Sequence, residues 1–288
     1  MAKLTASKAI DMFNGLTFFE VQPDDVISAS NTKLIIRDNN GNKQEYAGRF
    51  VYSKNGDLNW SKSSLTGFTQ YDSAGKLHWQ ASSLSISGSK YYGYATNFDG
   101  VGLAEYALRG NDTITGSKHN DTLEGWGGND NINGGAGSDQ IIGGAGNDSI
   151  NGGDGNDLIW GGGIGVASGK DTLTGGKGAD KFFFDASFYS GTTKKNASVI
   201  TDFNAKQGDK IIIGAQSSYE QDLLAEIDQI RKVARFTGNP GEFVQTKVKG
   251  GLEVAFDLDG NGKADGYLNL KGITNLDASS VQKFEVFA

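Results

Sequence analysis

The sequence predicts an all-β protein with a parallel β-roll at its centre. An antiparallel β meander is expected before the roll, and a C-terminal β domain with one helix is expected to cap it. Three observations predict the roll. Glycine is concentrated there, with 22 of the 43 glycines between Gly110 and Gly178. Aspartates recur every nine residues through this stretch, and a large apolar residue follows each of them two positions later. Such phasing indicates a repeat architecture and argues against a flexible linker.

The repeated unit reads GGxGxDxUx, where U is a large apolar residue, and its best copies are GGAGSDQII, GGAGNDSIN and GGDGNDLIW. Two such units make one coil of a parallel β-helix, so equivalent positions recur every 18 residues. The phased aspartates are Asp112, Asp121, Asp130, Asp139, Asp148, Asp157, Asp171 and Asp180. The apolar residues, expected to point inward, are Ile114, Leu123, Ile132, Ile141, Ile150, Ile159, Leu173 and Phe182.

The turn aspartates predict a series of calcium sites. Stacked carboxylates repel one another, so a cation is expected between each aspartate and the one 18 residues later. Calcium takes about six to eight oxygen ligands from carboxylates and backbone carbonyls. Glycine turns offer the carbonyls because glycine adopts positive φ without steric cost. The glycines expected in these sites are Gly128, Gly135, Gly137, Gly144, Gly146, Gly153 and Gly155.

Two irregularities interrupt the series. The unit GSKHNDTLE has Ser117 and His119 where glycines are expected, so its calcium site is predicted to be weak or empty. An insertion near residues 164–168 separates Asp157 from Asp171 by fourteen residues instead of nine. The pairs across this insertion, 148/171 and 157/180, are therefore expected to be less regular than the others.

The same register predicts the outer faces of the roll. The odd-numbered strands turn polar residues outward: Thr113, Thr115, Asn131, Asn133, Ser149 and Asn151. The outward residues of the even-numbered strands, counted along the roll from the strand of Ile114, include three apolar ones: Ile142, Leu158 and Trp160. Ile142 and Trp160 are 18 residues apart and should stack. An apolar patch of this kind indicates a partner surface. Contact with another part of the same chain is favoured over a ligand site.

The repeats of residues 110–183 resemble the RTX repeat region (hemolysin-type calcium-binding repeat) of proteins exported by bacterial type I secretion. The segments GADKFFF (178–184), VITDFNAKQGDKIII (199–213) and LEVAFDLDGNGKADGYLNLKGITNLDASSV (252–281) are similar to the C-terminal domain of serralysin-type metalloproteases. The last residues, 285–288, look like the uncleaved C-terminal signal of that export route. The resemblance implies a secreted, extracellular or cell-surface protein whose partners are calcium and the type I secretion machinery.

Three domains are predicted: an N-terminal β-rich domain (1–108), the roll (109–183) and a serralysin-like cap with the secretion-signal region (184–288). The N-terminal strands are expected in KLIIRD, EYAGRFVYS, LNWSKSSLTGFTQYD and KLHWQASSLSIS, after a short helix over residues 6–14. Their aromatic residues are interpreted as the core of a small sheet, with sugar stacking as the alternative.

Near the C-terminus, QDLLAEIDQIRKVARF predicts one helix, with Leu223, Leu224, Ile227, Ile230 and Val233 on one face. The loop Asp257–Asp265 matches several ligand positions of an EF-hand loop, but Leu268 stands where the closing glutamate is required. Its flanks alternate like strands, so a hairpin turn is the favoured interpretation and a further calcium site the alternative.

Composition and missing motifs limit the function. The chain carries 34 acidic and 27 basic residues, which argues against non-specific nucleic-acid binding, and without cysteine it has neither disulfides nor thiolate metal sites. No stretch is long and apolar enough for a membrane helix. His78 and His119 do not form the zinc motif of metalloproteases, and no Gly-x-Ser-x-Gly elbow occurs.

We therefore expect no catalytic activity of the chain's own. The expected function is that of a secreted protein that folds on calcium outside the cell and has a structural, adhesion or polysaccharide-associated role. The alternative is an enzyme, or an accessory module of one, acting on extracellular polysaccharide by an epimerase- or lyase-type reaction.

Overall fold

The computed structural model describes residues 3–6, 26–30, 33–37, 43–50, 62–71, 77–87, 105–162, 169–185, 194–214 and 230–283. Strands dominate these ranges, and both parallel and antiparallel pairing occur, which confirms the predicted all-β class. Within them, no helix has the length and hydropathy needed to cross a membrane.

The N-terminal strands form an antiparallel meander, as predicted. The strands are β1 (Lys3–Ala6), β2 (Val26–Ala29), β3 (Lys33–Arg37), β4 (Lys43–Arg49), β5 (Ser64–Tyr71) and β6 (Leu77–Ser87). Each of β2 to β5 pairs with the next strand along the chain. Tyr46 and Phe68 are buried and meet edge to face, with ring centroids 4.9 Å apart. Phe50 is buried as well, so the described aromatics of β4 and β5 belong mainly to the core.

The roll consists of short parallel strands that alternate between two sheets. They are β7 (Thr113–Thr115), β8 (Thr122–Glu124), β9 (Asn131–Ala136), β10 (Gln140–Ile142), β11 (Ser149–Asp154), β12 (Leu158–Trp160), β13 (Thr172–Lys177) and β14 (Lys181–Asp185). The odd-numbered strands lie in a fifteen-stranded sheet and the even-numbered ones in a six-stranded sheet. All eight apolar residues predicted to point inward are at most 1% exposed, so they form the shared core between the sheets.

Strand β1 joins the meander to the roll. It pairs antiparallel with β6 and parallel with β7, so that Leu4 lies opposite both Ala81 and Ile114. The meander and the odd-numbered strands of the roll therefore form one continuous sheet. The helix predicted over residues 6–14 is wrong at its start, because Ala6 ends β1, and its other residues lie outside the described ranges.

The C-terminal part continues the coil and then turns antiparallel. Its strands are β15 (Ser198–Ile200), β16 (Lys210–Gly214), β17 (Arg231–Lys232), β18 (Glu242–Val248), β19 (Gly251–Asp257), β20 (Gly266–Lys271) and β21 (Val281–Lys283), the last preceded by a 3-10 turn, Ala278–Ser280. β15 stacks on β13, and β16 stacks on β14, both in parallel. β18, β19 and β20 form antiparallel hairpins, and the apolar residues on one face of them, among them Phe243 and Leu252, are buried.

The C-terminal end of the predicted helix is wrong. Arg231 and Lys232 form β17, which pairs in parallel with β18. The N–H of Arg231 donates to Gly241 O at 2.9 Å, and that of Val233 donates to Phe243 O at 3.0 Å. Sheet pairing thus supplies the hydrogen bonds that a helix would have supplied here. Residues 221–229 of the prediction lie outside the described ranges.

Candidate metal centres in the stacked turns

The turns of the roll stack along two edges. We call the edge formed by turns 116–121, 134–139, 152–157 and 175–180 the first edge. The second edge is formed by turns 125–130 and 143–148 and by the described residues 161–162 and 169–171 of the turn that carries the insertion. Every turn ends in one of the predicted aspartates, directly before a strand, and Asp112 holds the same position before β7. All eight aspartates are at most 3% exposed.

A hydrogen-bond ladder joins the aspartates within each edge. The N–H of Asp130 donates to Asp148 Oδ1 at 2.8 Å, and the same contact joins Asp112 to Asp130, Asp121 to Asp139 and Asp139 to Asp157 at 2.7 to 2.9 Å. The structure thus brings together every predicted pair 18 residues apart. The pairs across the insertion, 148/171 and 157/180, keep the contact at 3.0 Å, so the insertion changes the register much less than expected.

The second oxygen of most of these carboxylates is buried without a hydrogen bond. Among the described residues, Oδ2 has no donor within reach in Asp130, Asp139, Asp148, Asp157 and Asp180. A buried polar oxygen without a partner costs about 1–3 kcal/mol. The same buried Oδ2 atom lacks a hydrogen bond in successive repeats, which indicates a binding place for a cation.

Burial also changes the acidity of these groups. Burial, together with the charges of neighbouring aspartates in the ladder, raises the pKa of Asp130 and of Asp148 to about 7. Burial likewise raises the pKa of Asp139, Asp157 and Asp180 to about 6. Burial of this kind disfavours the ionised carboxylates, and a bound cation would reverse that effect.

All the glycines predicted to take part adopt positive φ. The values are 123° for Gly128, 108° for Gly135, 119° for Gly137, 102° for Gly144, 130° for Gly146, 113° for Gly153 and 143° for Gly155. Carbonyl oxygens of one coil point at the Cα atoms of the next. A Cβ on Gly146 would lie 1.7 Å from Gly128 O, and one on Gly155 would lie 1.7 Å from Gly137 O. The turns thus direct carbonyl oxygens, as well as carboxylates, into the space between coils.

The first glycine of each turn was missed by the sequence prediction. These residues are Gly125, Gly134, Gly143, Gly152, Gly161 and Gly175, and a Cβ on each would lie 2.3 to 2.5 Å from Oδ2 of the aspartate that ends the same turn. The carboxylate therefore folds back over its own turn and leaves no room for a side chain. The sequence signal that could have identified these glycines is the pair of adjacent glycines at a fixed position of the repeat.

The residue before each aspartate forms a second ladder that was also missed. Asn147 N–H donates to Asn129 Oδ1 at 2.7 Å, and Lys170 N–H donates to Asn147 Oδ1 at 2.8 Å. Asn111, Asn120 and Asn156 accept in the same way. These contacts are exposed and hold successive turns in register on the outside of the roll.

The turn 116–121 differs from the regular turns, as the sequence suggested. Ser117 N–H donates to Asp121 Oδ2 at 2.6 Å, and the Ser117 hydroxyl lies 3.3 Å from Oδ1. Both oxygens of Asp121 therefore have partners within its own turn, unlike the regular units. His119 is exposed in the same turn. The weak site predicted for this unit remains a prediction, and this geometry gives it a physical reason.

The loop between β19 and β20 holds a second group of carboxylates. One oxygen from each of Asp257, Asp259 and Asp265 lies within 4.8 Å of the others. Asp257 accepts from Gly260 N–H and from Gly262 N–H, both at 2.9 Å, and Asp265 accepts from Leu258 N–H at 2.6 Å. The loop is thus a hairpin between antiparallel strands, as favoured from the sequence.

The predicted apolar row on the six-stranded sheet is present and longer than expected. Ile142 lies opposite Trp160 in the strand register, and the row continues through Phe183 and Ile212. The rings of Trp160 and Phe183 meet edge to face with centroids 5.1 Å apart. Phe183 and Ile212 are at most 8% exposed, whereas Ile142 and Trp160 are half-buried.

The donor set of the stacked turns fits calcium. Every candidate ligand is an oxygen, from a carboxylate or a backbone carbonyl, and hard cations such as Ca²⁺ prefer such ligands. The unpartnered Oδ2 atoms supply negative charge where the carbonyls converge. The chain has no cysteine, and the regular turns 125–130, 134–139, 143–148 and 152–157 contain no histidine, so the donor set does not suit a softer metal.

Comparison with protein-family models gives the same assignment. The family model of the RTX calcium-binding nonapeptide repeat matches in four copies, over residues 106–141, 133–163 and 167–186. Among solved structures, the chain is similar to the R3 subunit of the mannuronan C5-epimerase AlgE6 from Azotobacter vinelandii. The identity is 22%, the TM-score is 0.33, and the match covers 60% of this chain and 78% of that one. Comparison with curated protein sequences finds no match.

The repeat match ends at residue 186, and the similarity of the C-terminal part to serralysin-type proteases stays a prediction. The phased aspartates, the positive-φ glycines and the family match agree on the centre of the molecule. Residues 106–163 and 167–186 are RTX calcium-binding repeats, and their described part is folded as a parallel β-roll.

Proposed function

We propose that this protein is an extracellular calcium-dependent module whose roll folds when Ca²⁺ binds between the stacked turns. The ligands are the phased aspartates Asp112 to Asp180 and the carbonyls of the positive-φ glycines. The observation that carries the proposal is the repeated buried Oδ2 atom without a partner. Where calcium is scarce, repulsion among these carboxylates keeps the segment unfolded. At about millimolar calcium, sites with dissociation constants of roughly 10⁻⁴–10⁻³ M fill, and binding energy becomes folding energy.

Circular dichroism of the full chain tests this coupling. Titration with calcium from a chelated start should increase the β signal with a midpoint near 10⁻⁴–10⁻³ M. Magnesium at the same concentrations should be much less effective, because it demands octahedral geometry and dehydrates reluctantly. An unchanged spectrum in excess chelator would refute coupled folding.

We further propose that the protein leaves the cell unfolded by type I secretion, with residues 285–288 as an uncleaved C-terminal signal. Sequence resemblance supports this route, and the calcium requirement of the roll gives it a physical basis. Secretion of the full chain by a cell that carries the exporter, compared with a chain truncated after residue 283, tests it. Equal secretion of the two chains would contradict the signal.

The role outside the cell is proposed to be structural, adhesive or associated with polysaccharide. The sequence resemblance supports this role, and the proposal assigns no catalytic residue. Binding of the calcium-loaded chain to a glycan array, with a chelated sample as the control, tests the polysaccharide association. Turnover of an extracellular polysaccharide by the purified chain would favour the alternative, an epimerase- or lyase-type enzyme.

A further inference from the structure

We infer that the outer face of the six-stranded sheet binds an acidic polysaccharide. The binding surface, which we call the cationic patch, consists of Leu158 and Trp160 on β12, Lys181 on β14 and Lys210 on β16. The inference rests on the proposed function, because it names the ligand class of the polysaccharide-associated role. The cationic patch contains none of the proposed calcium ligands, and calcium acts on it only by folding the strands that carry it.

The strand register places the cationic patch on one face of the sheet. Leu158 lies opposite Lys181, which lies opposite Lys210 on the next strand. Trp160 follows Leu158 by two residues, and side chains two apart along a strand point to the same face. The residue after each of the other three points inward and is 0% exposed: Ile159, Phe182 and Ile211. The four side chains of the cationic patch therefore point outward, where Lys181 is exposed and the other three are half-buried.

The two lysines of the cationic patch form a like-charge pair without a counter-ion. Like charges opposite each other on neighbouring strands destabilise a sheet. Within the described part of the chain, ion pairs with carboxylates neutralise other lysines: Lys33, Lys43, Lys177 and Lys194. Among the same residues, neither Lys181 nor Lys210 takes part in such a pair. Lys210 Nζ donates instead to the carbonyl oxygen of Ser279 at 2.7 Å, a neutral acceptor that leaves the positive charge uncompensated.

An apolar surface lies beside the lysines. The ring of Trp160 packs edge to face on Phe183, with centroids 5.1 Å apart, so its orientation is defined. Phe183 and Ile212 are buried, whereas Trp160 and Leu158 keep part of their surface accessible. The C–H groups of a sugar ring pack on an indole face, and a sugar carboxylate forms a charge-assisted hydrogen bond with an ammonium group. The cationic patch therefore offers both contacts that an acidic sugar needs.

Charge complementarity indicates a polymeric anion as the partner. The net charge of the chain is −7, so a polyanion is repelled by the molecule as a whole and is attracted only where positive charge is concentrated. Equivalent positions on neighbouring strands recur at about 4.8 Å, so a linear polymer can follow the row from Leu158 to Lys210. A chain of uronic acids carries a carboxylate on every sugar, and it can therefore meet both lysines while one ring packs on Trp160.

Isothermal titration calorimetry of the calcium-loaded full chain with a short oligomer of galacturonic acid tests the inference. Lys181→Gln should bind this oligomer about tenfold more weakly than the wild type, because one charge-assisted contact is lost. Lys271→Gln, which changes an exposed lysine of the other sheet, is the matched control and should bind as the wild type does. The same oligomer with its carboxylates reduced to alcohols should bind the wild type at least about tenfold more weakly.

The melting temperature in excess calcium, without sugar, separates binding from folding. Lys181→Gln removes a like-charge contact, so its melting temperature should equal or exceed that of the wild type. A lower melting temperature, an unchanged affinity of Lys181→Gln, or equal binding of the reduced oligomer would overturn the inference. Binding of a glutamate oligomer as tightly as the sugar would identify an acidic polypeptide as the partner and would overturn it too. A chain that gains no β signal with calcium would instead refute the proposed function.

Discussion

Replacing Gly146 by alanine should destabilise the calcium-loaded roll severely, whereas the same change at Gly127 should not. Gly146 has φ of 130°, and its new Cβ would lie 1.7 Å from Gly128 O. Gly127 belongs to the turn directly below, but a Cβ there meets nothing within 4 Å and its φ is not positive. The two substitutions add the same methyl group, so their difference measures the positive φ and the close approach between coils together.

The expected loss at Gly146 has two parts. Left-handed backbone costs a residue with a Cβ about 1–2 kcal/mol, and overpacking against rigid neighbours costs about 1–3 kcal/mol. The sum, about 2–5 kcal/mol, corresponds to a fall in melting temperature of roughly 4–20 °C for a chain of this size. Alanine at Gly127 should change the free energy of unfolding by less than about 1 kcal/mol.

Thermal melting followed by circular dichroism in excess calcium measures both variants. If Gly146→Ala melts within about 4 °C of Gly127→Ala, neither the positive φ of Gly146 nor the close approach of its coil to Gly128 O is as described. Such a result would also weaken the assignment of the turn carbonyls as calcium ligands.

Three other predictions follow from the same geometry. Asp139→Asn removes a carboxylate shared by the pairs 121/139 and 139/157, so the calcium midpoint of folding should rise about tenfold or more, while Asp154→Asn, an exposed control, should leave the midpoint unchanged. In chelator, β content should increase as the pH falls from about 8 to 5, because the folded pKa values of about 6 to 7 exceed the ordinary 3.8 and protonation favours the folded state; equal β content at both pH values would contradict the buried carboxylates. Leu173→Ala should cost about 2–5 kcal/mol in denaturant unfolding and Thr172→Ala less than about 1 kcal/mol, since only the leucine is buried, and similar losses would mean that the strand is turned over.

The roll could be predicted because its chemistry repeats. A nine-residue phase determines which residue points inward, so spacing alone is enough to place Ile132 and Ile150 in one column. The same phase paired the aspartates. The doubled glycine was equally periodic, but its role depends on the carboxylate folding back over Gly134 or Gly152, which sequence spacing does not reveal.

Outside the repeats, tertiary contacts decide the secondary structure and the position of residues more than the local sequence pattern does. Arg231 and Lys232 continue an amphipathic pattern that suits a helix, yet pairing with β18 makes them a strand. Asp209 is followed two positions later by Ile211, which is the aspartate-to-apolar spacing of the repeat, but it stands 29 residues after Asp180. A search for a constant period therefore passes over it, although the coil brings it to the next position of the aspartate ladder.

The pairing of β1 with β7 bears on how copies of this protein meet one another. A stack of identical coils is a one-dimensional lattice, and the open edge of its last strand can template growth by a second molecule. β1 is followed in the sheet by antiparallel strands, and at the other end β20 leads into antiparallel hairpins. The antiparallel strands on both sides of the roll end the parallel stacking in the longer sheet. The number of repeats in the chain, and not the protein concentration, therefore sets the length of the stack.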